Sequence, residues 1–149
     1  MKQFDQSIGG MHVDEGEDHF LPNFETPEGA IVSLENAYTE GNLEKAMTCK
    51  DFKEEAKMML SKYDNEAMKG EAIVEKTAEM LQLSFLKHMQ ENGIPSFKGY
   101  KRAFPLREKI SEKHYVITEV TTSPEGTKGV DKLNVYLTDT GWKVLGVAE

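Results

Sequence analysis

The chain has very little sulfur chemistry to offer: Cys49 is its one cysteine in 149 residues. An internal disulfide is excluded, and a reducing compartment fits. Long apolar runs are missing as well. Nothing approaches the roughly 20 residues that a membrane-spanning helix needs. The opening MKQFDQSIGGMHVDEGEDHF has no continuous apolar stretch of the kind that marks a signal peptide. Cytoplasm is the expected compartment, and no membrane partner is expected. No Gly-rich loop runs into Lys-Ser or Lys-Thr, so a phosphate loop is excluded.

Excess basic charge is also absent. The formal net charge is -8, and it is unevenly spread. Residues 1–50 hold three Lys against ten Asp or Glu, a net of -7, whereas residues 51–149 come to -1. An acidic surface repels nucleic acid and attracts basic proteins. The basic run Lys98, Lys101, Arg102, Arg107, Lys109 and Lys113 is broken by Glu108 and Glu112. It reads as an edge strand protected by lysines, and no nucleic-acid partner is expected.

What is present is a strong strand signal in the C-terminal third. HYVITEV, KLNVYLTD and GWKVLGV carry strand-forming residues at mostly period-two spacing. TTSPEGTKG separates the first two runs, and Asp139-Thr140-Gly141 forms a hairpin signal between the last two. An antiparallel meander follows. A further strand is expected around 100–110, with Ser111-Glu112-Lys113 as its turn. Pro105 pushes that strand toward an edge or a bulge.

Helices come first in the chain. Thr26-Pro27-Glu28 combines an N-cap, a first-turn proline and an acidic residue at the positive helix end. Gly41 ends this helix, and Asn42 caps a short second one through Met47. Asp51 opens a third, with Glu54 at capping-box spacing. Phe52, Ala56, Met59, Leu60 and Tyr63 make its expected buried stripe. Glu71–Asn92 is the longest helical pattern, with Ile73, Thr77, Met80, Leu81, Ser84, Phe85, His88 and Met89 on one broad face. The expected class is α+β, as one domain over 26–149 preceded by an acidic N-terminal segment, 1–25.

Helices followed by a bent sheet resemble the NTF2-like superfamily, a cone-shaped fold. The residues that carry this likeness are TPEGAIVSLENAYTEGNLEKAMTCKDF and the ending TDTGWKVLGV. Within the superfamily, Leu-Glu-x-Ala-Tyr at 34–38 and Cys-Lys-Asp-Phe-Lys-x-Glu-Ala at 49–56 resemble the NTF2-fold immunity proteins of bacterial polymorphic toxin systems. That resemblance implies a non-enzymatic protein-binding module that neutralises a cognate toxin. The charge pattern adds a candidate surface: Asp14, Glu15, Glu17 and Asp18 for a basic partner, with Phe20, Leu21 and Phe24 as apolar anchors.

Two other uses of the fold stay open. One is a small-molecule enzyme or ligand binder of the isomerase or dehydratase type, with Tyr38, Tyr63, His88 and Trp142 lining the cone. The other is a homodimer formed through the sheet. His88 lacks a carboxylate on its own helix face, and the inward strand positions read as Val, Ile, Leu and Tyr, so an apolar cone is expected. His12, Asp14 and His19 lack a framework to fix metal geometry, and no metal or cofactor is expected. Cys49 is expected to be buried. Trp142 is expected to pack across the sheet near Phe85 or Leu81.

Overall fold

A computed structural model describes residues 22–148. Among these residues, four helices precede one four-stranded sheet. The helices are α1 (Pro27–Thr39), α2 (Leu43–Thr48), α3 (Phe52–Leu60) and α4 (Glu71–Asn92), with a 3-10 turn at Glu66–Met68 before α4. The strands are β1 (Lys101–Ser111), β2 (His114–Thr122), β3 (Lys128–Thr138) and β4 (Gly141–Val147), antiparallel in the order β1-β2-β3-β4. This is the α+β meander that the sequence predicts.

The caps form where the side chains specify them. Thr26 Oγ1 accepts from the Gly29 amide at 2.9 Å, Asn42 Oδ1 from that of Lys45 at 3.0 Å, and Asp51 Oδ1 from that of Glu54 at 3.0 Å. Each satisfies a donor that the first helical turn leaves without a partner. Gly41 turns the chain after α1 at φ 73°, a backbone conformation that costs a β-carbon dearly. Pro105 lies within an irregularity between Ala103 and Leu106, on an edge strand, as its missing N–H requires.

The two sheet edges differ. The outer edge of β4 is covered: the Trp142 amide donates to Phe24 O and the Val144 amide to Cys49 O, both at 2.9 Å. Lys50 and Val144 form a parallel bridge there. Among the described residues, β1 is the opposite edge.

α1 packs on one sheet face. Ile31, Leu34, Ala37, Cys49, Ile117, Val135, Trp142 and Val144 form the main core, and Cys49 is buried as expected. A second cluster, Ala56, Leu60 and Val74, lies between α3 and α4.

Three expectations about packing are corrected. Trp142 meets the edge of Tyr115, with ring centroids 5.5 Å apart, inside the α1 core. Phe85 packs instead with Phe52 and Tyr38, because α4 lies on α3 rather than across the sheet. Of the broad face expected of α4, Ile73, Leu81, Phe85 and Met89 pack, and Val74 and Ala78, which the expected face left out, join them. Met80 (63% exposed) and His88 fall on the solvent side. At the end of α3 the stripe also stops early: Tyr63 is 56% exposed and Met59 41%.

Candidate functional site

The described residues cover the sheet face away from α1 only in part. α3 crosses its β4 end and presents Glu55, Met58 and Met59, one face of the helix, with Lys62 in the turn that follows. Opposite stand Ile110 on β1, His114 and Val116 on β2, Asn134 on β3 and Leu145 on β4. Together with the chain end at Gly146–Ala148 they enclose an open groove of about 530 Å3. Ile110 and Val147 are more than half exposed at its rim. Leu106 and Val130, both 64% exposed, extend this apolar surface along the same sheet face.

The polar groups of the groove are held in place. His114 Nε2 lies 2.8 Å from Asn134 Oδ1, and the His114 ring packs against that of Tyr136. Glu55 sits 3.6 Å from Lys50 Nζ, which also donates to Leu145 O at 3.4 Å and lies 5.6–5.7 Å from the Phe52 and Phe85 ring centres. Burial lowers the pKa of the Lys50 ammonium, against the opposing pull of Glu55. Burial likewise raises that of the Glu55 carboxyl, against the pull of Lys50. At Gly146, φ 150° leaves little tolerance for a side chain beside Glu55.

On the other sheet face, under α1, the structure places a polar cluster that the sequence reading missed. Glu35 of α1 meets Arg102 of β1 at 3.1 Å, and Glu119 of β2 completes the group. Glu35 is 5% exposed and Glu119 3%. The interior is therefore not purely apolar, contrary to the apolar cone that the sequence predicts. A period-two signal was available: Glu119 continues the inward row of Tyr115 and Ile117.

The expected pocket residues do not come together here. None of Tyr38, Tyr63, His88 and Trp142 lines the groove. Tyr38 is half-buried beside Phe85, and burial raises the pKa of its phenol. His88 is exposed and pairs with Asn92 one turn on, Nδ1 to Nδ2 at 3.1 Å. Trp142 belongs to the core. Of the expected partner-binding residues, Asp14, Glu15, Glu17, Asp18, Phe20 and Leu21 lie outside the described residues. Phe24 is described, and it is half-buried against the core with Lys143 Nζ 4.3 Å from its ring centre.

Among the described residues no three His, Cys, Asp or Glu side chains gather as metal ligands, and no helix is long and apolar enough to cross a membrane. His12, Asp14 and His19 are outside that range. Comparison with protein-family models, with curated proteins and with solved structures finds no match.

Proposed function

We propose that this chain is an NTF2-like protein-binding module that docks a basic partner on its open sheet face. The observation that carries the reading is the groove between α3 and the sheet. Its rim residues Met59, Ile110 and Val147 are exposed, and Leu106 and Val130 continue the surface. Exposed apolar side chains around a concavity, within a polar surround, suit a protein interface. The partner's sign follows from charge complementarity with a chain of net charge -8. Asp14, Glu15, Glu17 and Asp18 would speed encounter, with Phe20 and Leu21 beside them as added anchors.

The immunity role comes from the resemblance of residues 34–38 and 49–56. Those stretches also serve the fold here: Leu34, Ala37 and Cys49 are core residues and Asp51 is a cap. A toxin that attacks nucleic acid must tolerate polyanions, so it tends to present a basic surface that an acidic inhibitor can cover.

One observation favours a second reading, a ligand binder. A volume of about 530 Å3 and the fixed His114–Asn134 pair suit a small molecule. The test uses the product of the neighbouring gene, which the proposed role makes a toxin. Ile110→Asp with Val147→Asp should weaken its binding by roughly 10–100-fold, the loss expected when two apolar contacts of the interface become charged. Parent-like affinity in that variant would refute the docking surface. Small-molecule turnover without any toxin binding would refute the protein-binding role.

A further inference from the structure

α4 ends on an Asn-Gly step. The sequence holds six asparagines, and Asn92 is the one followed by glycine. Both residues of the step are exposed. Gly93 closes the helix at φ 86° and ψ 160°, a backbone region essentially closed to residues with a β-carbon. Its amide donates to Met89 O at 2.9 Å. The Asn92 side chain folds back along the helix. Its Nδ2 donates to His88 O at 3.1 Å and lies 3.1 Å from His88 Nδ1. Four residues beyond Gly93 the chain is anchored again, where the Phe97 amide donates to Thr39 Oγ1 at the end of α1, at 2.8 Å.

Such a step carries its own electrophile and nucleophile. The Gly93 nitrogen can attack Asn92 Cγ, closing a five-membered succinimide and expelling the side-chain nitrogen as ammonia. Water then opens the ring at either carbonyl, which leaves aspartate or isoaspartate. The net change is one water consumed and one ammonia released, with no oxidant or other reactant. Gly93 has no β-carbon to block the approach of its nitrogen. The helix cap opposes the attack from both sides, because the Gly93 N–H is held by Met89 O and the Asn92 amide by His88 O. Reaction needs that N–H released and deprotonated, and the side chain swung toward it. Opening of the last turn of α4 supplies both freedoms.

We propose that Asn92–Gly93 is a self-modification site, converted to aspartate or isoaspartate at a rate set by opening of the last turn of α4. The conversion adds one negative charge to a chain of net charge -8. That charge falls at the negative end of the α4 dipole, where it is unfavourable. The product also lacks the amide donor that Asn92 gives to His88 O. Isoaspartate goes further, since the main chain then gains one carbon at the cap, and Gly93 N–H loses its register with Met89 O. The Phe97 anchor confines the added length to the few residues after α4. The result is a loosened end of α4, beside the buried Met89.

The test follows the full chain at pH 8.5 and 37 °C, folded and unfolded in guanidinium chloride, by peptide mass spectrometry over several weeks. Asn92 should convert ahead of the other asparagines and yield both aspartate and isoaspartate. In oxygen-18 water each event should add one heavy oxygen. The folded chain should react at least about 10-fold more slowly than the unfolded one, because the cap must open first. His88→Gly, at an exposed position, loosens the last turn and should speed the reaction of the folded chain roughly threefold or more. No conversion at Asn92 in the folded chain, or another asparagine converting before it, would overturn the proposal. So would aspartate without isoaspartate, equal rates in the two states, or a His88→Gly chain that reacts no faster than the parent. Should that variant fail to fold, the comparison of folded and unfolded parent still decides.

Discussion

Replacing Trp142 with Ala probes the packing at its centre. Trp142 is 9% exposed and lies in the core with Ile31, Leu34, Ile117 and Val135. A buried Trp removes roughly 150–250 Å2 from water, or about 4–6 kcal/mol at ~25 cal/mol per Å2. Alanine keeps the β-carbon and the neighbours relax in part, so ~3–5 kcal/mol is the expected loss. The edge contact with Tyr115, 5.5 Å between ring centres, accounts for about 0.5–1.5 kcal/mol within that range. For a chain of this length, each kcal/mol moves Tm by about 2–4 °C. Differential scanning calorimetry should therefore show a fall of roughly 6–20 °C. Val147→Ala, at a site 65% exposed, is the control and should stay within about 0.5 kcal/mol of the parent. A Trp142→Ala protein melting within one or two degrees of the parent would refute the assignment of Trp142 to the core.

Cys49 should resist thiol reagents, because it is 1% exposed and burial raises its pKa despite nearby Lys143 and Lys45. Its reaction with Ellman's reagent at pH 8 should be at least about 100-fold slower than in urea-unfolded protein, since reaction needs an opening of the fold; equal rates would contradict this. Lys50→Ala removes the cation beside Glu55 and should cost about 2–3 kcal/mol in urea unfolding. That is below the ~3–5 kcal/mol of a fully buried pair, because Glu55 keeps 27% exposure. Lys50→Met with Glu55→Leu should recover most of the loss, and a double variant weaker than the single would count against the argument.

Local chemistry was legible in the sequence wherever one side chain acts on its own backbone. Thr26, Asn42 and Asp51 cap the helices as expected, α4 runs over Glu71–Asn92, and Pro105 falls at a bulge on an edge strand. Packing was less legible, because it depends on which element arrives from elsewhere. On α4 the expected face was set too far round the helix: Ile73, Leu81, Phe85 and Met89 pack with Val74 and Ala78, while Met80, Ser84 and His88 are exposed. The polar cluster was hidden for the same reason. Glu35, Arg102 and Glu119 are far apart in the chain, and only the β1–β2 register and the seat of α1 unite them. The groove joins a helix row to four strands, a juxtaposition that no local pattern encodes.

The proposed docking surface is tested most directly by hydrogen exchange on the chain alone and with the product of the neighbouring gene, the partner that the proposed immunity role would give it. Backbone amides of Met58–Lys62 at the end of α3 and the turn after it, of β1 around Leu106–Ile110 and of β4 around Leu145–Val147 should gain protection on binding. Protection confined to α4, with those three stretches exchanging as in the free chain, would contradict the account.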